Sequence, residues 1–132
     1  MNKPTVFLID EDKDSRPSFR AQLKKKGYHV SLAIDEEDAL DRIKHQCLRA
    51  DLILMNLVSK TPEEILDLGR NICRVGKLDA PIVVIAHKYG EDLEGKDIKA
   101  GEKEYITYLE DGDQLYSLIN FLMPVSFNVN QK

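Results

Sequence analysis

Asp51-Leu52-Ile53-Leu54-Met55-Asn56-Leu57 is the most apolar run of the chain. Leu52 to Met55 are apolar at odd and even positions alike, so an extended segment here has to bury both faces. That pattern belongs to an inner strand of a parallel sheet. The run closes on Asn56, and a helix start follows soon after. In Thr61-Pro62-Glu63-Glu64 the threonine reads as N-cap, the proline as first helical residue and Glu64 as capping-box partner. A two-face strand feeding a capped helix is half of a β-α-β unit.

The same unit recurs on either side. Residues 5–9 form a β-branched run that reads as a buried strand. Residues 15–26 read as a helix that tolerates Pro17 in its first turn and closes at Gly27. Residues 28–33 read as a second strand. Asp35 then caps a helix whose positive end receives Glu36, Glu37 and Asp38, with Leu40, Ile43 and Cys47 at helical spacing. After the central strand, Ile65, Leu68 and Ile72 mark the buried side of the third helix, and residues 81–86 form the fourth strand. Residues 91–100 carry Gly95 in the middle and only Leu93 and Ile98 to bury, which predicts a weak, mobile fourth helix. Residues 104–109 give the fifth strand. Residues 113–123 give a last helix with Leu115, Leu118, Ile119 and Leu122 on one face, stopped by Pro124. The expected fold is a doubly wound α/β sandwich: a five-stranded parallel sheet with five helices, spanning residues 1–123. Residues 124–132 read as a flexible C-terminal tail or the start of a linker.

Composition narrows the function. The 132 residues fit one domain, and 42% hydrophobic with 32% charged is a globular balance. A net charge of −4 argues against nucleic-acid binding by this domain. Lys24-Lys25-Lys26 sits at a predicted helix end, where cations favour the dipole. No apolar run approaches the ~18 residues of a membrane span and no signal-peptide pattern opens the chain, so a cytoplasmic protein is expected. Cys47 and Cys73 lack CxxC or metal-ligand spacing and read as reduced packing residues.

In a doubly wound fold the functional crevice lies beyond the carboxyl ends of the strands. The residues expected there are Asp10, Glu11 and Asp12, then Asn56, then Ala86 and His87, then Tyr108. The carboxylates of Asp10 and Glu11 are hard oxygen donors suited to Mg²⁺, and they read otherwise as a solvated acidic surface. His87 reads as a surface histidine with no nucleophile to serve. Ser59, Thr61 and Thr107 are hydroxyls that nothing nearby in sequence activates. No glycine-rich phosphate loop follows the first strand, which argues against a nucleotide- or flavin-binding variant.

Val6-Phe7-Leu8-Ile9-Asp10-Glu11-Asp12-Lys13-Asp14-Ser15-Arg16 resembles the opening of a response regulator receiver domain (CheY-like). The resemblance continues through Lys26-Gly27-Tyr28, residues 51–57 and 81–86, Ala100-Gly101, Tyr105 and Asp111-Gly112-Asp113-Gln114-Leu115. It covers roughly residues 4–123 and implies a flavodoxin-like, receiver-type fold. In that family a carboxylate at position 56 accepts a phosphoryl group, while Mg²⁺ held by an acidic pair, a Ser or Thr hydroxyl and a lysine stabilise it. Here Asn56 presents an amide, Ala86 stands at the hydroxyl position and Tyr108 at the lysine position, with Leu109 in place of the usual following proline. A phenol with a reference pKa near ~10 supplies no cation at neutral pH.

The resemblance therefore implies an atypical pseudo-receiver with no catalytic residue. Its Asn56 is not modified, its switch positions are Ala86, Tyr105 and Tyr108, and its Asp10–Glu11 metal site is weakened by the missing third carboxylate. Tyr105 stands at the family's mobile aromatic position and reads either as fixed without a covalent signal or as an ordinary half-buried strand aromatic. The implied role is a phosphorylation-independent signalling module of two-component or phosphorelay type. It would bind a protein partner through the surface of the fourth helix, fifth strand and fifth helix, including residues of 91–100, Lys103, Tyr108, Tyr116 and Met123. Homodimerisation is a further option. The alternatives are a metal- or ligand-responsive switch using Asp10, Glu11 and Asp12, or the N-terminal regulatory domain of a longer response regulator with an output domain.

Overall fold

A computed structural model of the chain describes residues 3–46 and 48–124. The Cys47 reading and the tail reading over residues 125–132 lie outside the described residues. The elements are β1 (Thr5–Asp10), α1 (Arg16–Lys25), β2 (His29–Ala33), α2 (Glu36–Gln46), β3 (Leu52–Asn56), α3 (Pro62–Gly76), β4 (Ile82–Ala86), a 3-10 turn (Glu91–Leu93), β5 (Asp97–Gly101), β6 (Glu104–Tyr108) and α4 (Gly112–Leu122). The sheet order is β2-β1-β3-β4-β6-β5. Five strands pair in parallel, and β5 alone is antiparallel, on β6.

The two-face reading of β3 is what the sheet needs. All five of its residues are buried. Leu52 and Leu54 join Val6, Leu8, Val83 and Ile85 in one core, closed by Leu23 of α1 and by Leu115, Leu118 and Ile119 of α4. Ile53 and Met55 join Phe7, Ile9, Ile82 and Val84 in the other, closed by Ala39 and Ile43 of α2 and by Ile65, Leu68 and Ile72 of α3. Each such side chain contributes ~1.5–3 kcal/mol by burial, so the central strands hold both layers. At Gly69 α3 comes so close to the sheet that a Cβ would lie 3.0 Å from Ile82 Cγ2 and 3.1 Å from Met55 Sδ. The caps form as read. Asp38 N–H donates to Asp35 Oδ1 at 2.8 Å, and Thr61 with Glu64 makes a complete capping box. Cys73 packs half-buried on α3, where burial pushes its thiol up and keeps it protonated.

The fold class stands, with two corrections to its inventory. The described residues form four α-helices and a six-stranded mixed sheet, not five helices on five parallel strands. The expected helix over 91–100 is a short 3-10 turn followed by β5. Gly95 takes φ +79°, which ends the turn, and Glu102-Lys103 then close a hairpin onto β6. A helix with two apolar side chains has no stripe to bury. The edge of β6, by contrast, offers a row of unpaired backbone groups to the same segment. The second correction concerns Met123, read as lying off the core face of the last helix, either as a surface contact or as half-exposed packing. The chain leaves the helical path there (φ −138°, ψ 76°), the side chain is buried in the α1–α4 core, and Tyr28 Oη donates to its carbonyl at 3.0 Å. Among the described residues no helix is long and apolar enough to cross a membrane.

Candidate functional site

The chain reverses direction across the sheet between β1 and β3, so the switch point lies between their carboxyl ends. Asp10 and Asn56 are register partners there. Both are interior positions, with 0% and 1% of their surface exposed. A buried carboxylate is stable only with donors around it. Asp10 Oδ1 accepts from Asn56 Nδ2 at 3.0 Å and from Asp12 N–H at 2.9 Å, and Oδ2 accepts from Ser15 Oγ at 2.7 Å. Asn56 Nδ2 also reaches Ser15 Oγ at 3.2 Å, and Asn56 Oδ1 bonds His87 Nε2. Arg16 adds positive charge behind the site, its Nε on Asp10 O at 2.7 Å and Nη2 on Glu11 O at 3.2 Å.

The sequence candidates separate into those the fold gathers and those it does not. Asp10, Asn56 and His87 meet in one network. Glu11 turns away from Asp10, and its carboxylate accepts from Ser59 N–H at 3.2 Å and from Ser59 Oγ at 2.9 and 3.0 Å. Asp12 is half-buried and holds the loop, its Oδ1 accepting from Asp14 N–H at 2.9 Å. Ala86 is buried and pairs in register with Tyr108. The half-buried Tyr108 ring meets Tyr89 edge to face at 5.5 Å, so it is an apolar wall there and no cation. Tyr105 is half-buried against the opposite core. Thr107 is fully buried and accepts from Gln114 Nε2 at 3.1 Å, and Thr61 is the helix cap.

Sequence reasoning passed over Ser15 and Arg16 and left His87 without a partner. The signal for the first two was position, since both follow the acidic run by about one turn and open α1 over the end of β1. His87 is solvent-exposed as expected, but it directly follows buried Ala86, which brings its ring over Asn56.

The donor set does not fit a resident Mg²⁺. Both Asp10 oxygens are engaged by neutral donors, Glu11 is turned to Ser59, and among the described residues no group of three or more His, Cys, Asp or Glu gathers around a common point. The adjoining cavity, about 240 Å³ and lined by Ser59, Thr61, Ala86, His87 and Lys88, is below the ~300 Å³ usual for small-molecule sites. Chemically the crevice contains a neutral amide wedged between a carboxylate and an imidazole.

No protein-family model matches the chain. Solved structures share its fold. A response regulator from Thermotoga maritima is 24% identical with a TM-score of 0.68, covering 94% of this chain and 100% of that one. A two-component response regulator from Clostridium difficile is 22% identical with a TM-score of 0.66, covering 92% and 96%. A chain from the complex of the histidine kinase ThkA with the response regulator protein TrrA is 17% identical with a TM-score of 0.65, covering 91% and 98%. These likenesses give the fold, a flavodoxin-like α/β sandwich of the kind seen in receiver domains.

Proposed function

We propose that this chain is a cytoplasmic receiver-like domain of two-component or phosphorelay signalling that works without phosphorylation, by binding protein. The observation that carries the reading is the Asn56 amide. It donates to Asp10 and accepts from His87, so the position of an acceptor carboxylate is held by a neutral group already bonded on both sides. Ala86 offers no hydroxyl and Tyr108 no cation to a phosphoryl oxygen. Each lost charged hydrogen bond removes ~1.5–3 kcal/mol of transition-state stabilisation, about tenfold to a hundredfold in rate, before the missing nucleophile is counted. The reading assigns the domain no enzymatic activity and no required cofactor. A metal-responsive switch has less support, because both Asp10 oxygens are engaged.

The protein-binding role is supported by the likeness to a response regulator solved with a histidine kinase. The surface we assign to it is β6, the hairpin before it and α4, where Tyr116 is half-buried, Lys103 is exposed and Phe121 is 75% exposed. The test is incubation with acetyl phosphate and Mg²⁺, followed by intact mass and amide NMR. No phosphoryl mass gain and no saturable shifts at Asn56 or Tyr105 are expected. A stoichiometric mass gain mapped to the crevice would overturn the reading.

A further inference from the structure

β5 lies at the end of the sheet order, and Asp97 to Ala100 are exposed along its open edge. Tyr108 N–H donates to Lys96 O across to β6 at 2.9 Å. Backbone groups alternate in direction along a strand, so from the inward Lys96 carbonyl onward Asp97 and Lys99 turn theirs to the open edge and Ile98 turns its own to β6. An open edge of this kind pairs with another strand unless its side chains forbid it, and a lysine is the usual guard.

We infer that β5 is a self-association strand, pairing antiparallel with β5 of a second copy about a two-fold axis at Ile98. The side chains select both the occupant and the register. With Ile98 opposite Ile98, Asp97 faces Lys99 of the second copy and Lys99 faces its Asp97, and these are the residues whose backbone groups are free to bond across the edge. The neighbouring allowed registers set Asp97 against Asp97 or Lys99 against Lys99, and like charges directly opposite are unfavourable. Asp97, whose Oδ1 accepts from Gln114 Nε2 at 2.9 Å and whose Oδ2 remains to face the lysine, thus cancels the guard that Lys99 provides, in one register only. Ile98 is 38% exposed, and pairing would cover it from both sides. Past the strand ends Glu94 would approach Glu102 of the second copy, so the ladder stays short and the dimer is weak, at the low end of specific interfaces. The inference stands on the strand edge and not on the crevice chemistry, so either can fail alone.

Sedimentation velocity from ~10 µM to ~1 mM is expected to show reversible dimerisation, with Asp97 and Lys99 amides gaining exchange protection as concentration rises. Lys99→Glu or Asp97→Lys alone should weaken the dimer about tenfold or more, since each turns two attractive pairs repulsive. Asp97→Lys combined with Lys99→Glu should restore it, and mixing the two single variants should give a heterodimer. A misfolded variant would do neither. A chain that stays monomeric at ~1 mM, or a dimer indifferent to both charge reversals, overturns the inference.

Discussion

At the scale of single residues, Asn56 gives the buried Asp10 carboxylate a neutral donor, where a second carboxylate would need a cation between the two. Its Nδ2 sits 3.0 Å from Asp10 Oδ1 in a region closed to water. Replacing that N–H₂ by an oxygen would set two acidic groups against each other at hydrogen-bond distance. Asn56→Asp is therefore expected to lower stability by about 3 kcal/mol at neutral pH, the scale of an uncompensated buried charge. Millimolar Mg²⁺ should recover much of the loss, because the new carboxylate and Asp10 would face each other as a pair of hard donors. Urea unfolding with and without Mg²⁺ measures both effects. A metal-free variant within ~0.5 kcal/mol of the parent would show that the amide is not substituting for charge balance. His87→Ala is the contrast, since one hydrogen bond on an exposed ring should cost under ~1 kcal/mol.

At the scale of elements, α3 is fixed at its N-terminus and near its middle by polar contacts. Its N-terminus closes on the Thr61 box, and Thr61→Ala should cost ~1 kcal/mol by thermal unfolding with the site chemistry unchanged. Further along, Arg70 clasps Glu104 of β6 through Nε at 2.9 Å and Nη2 at 2.6 Å, and also bonds Asp67. The Arg70 hydrogen bonds hold the Glu104 carboxyl below its ordinary value. The unfolded chain therefore takes up its proton first as pH falls. The stabilisation is complete above the unfolded value of ~4.3 and is lost as pH drops through the lower folded one. Glu104→Gln should weaken the fold by ~0.5–1 kcal/mol at pH 7, a partly exposed pair being discounted for solvent. Parent and variant curves should converge as pH falls below the folded value of Glu104. A gap that persists in acid would assign the effect to packing instead of charge.

At the scale of the whole molecule, what the sequence disclosed and what it concealed follow one rule. Elements whose side chains must be buried announced themselves. Leu52 to Met55 required a two-face strand, and Leu115, Leu118 and Ile119 required a helix lying on a sheet, and both are found. The segment over 91–100 has almost nothing to bury, so its conformation is decided by backbone partners that only the assembled β6 edge provides. The site divides in the same way. Asp10 and Asn56 were legible because strand ends fix them, whereas the Ser15 and His87 bonds depend on loop paths that no periodicity encodes. The same rule predicts how stability is distributed. Amides of β1, β3 and β4 open only with global unfolding, because both of their faces are core. Strand β5 has one paired edge and exposed side chains, and it can open from β6 without disturbing either core. In dilute monomer, hydrogen exchange at Ile98 should therefore run orders of magnitude faster than at Leu8, Leu54 or Val84, through local opening that urea barely affects. The Leu54 rate should track the global unfolding free energy. Equal protection at Ile98 and Leu54 in dilute protein would mean that β5 is part of the global cooperative unit, and that it is held by more than its bonds to β6.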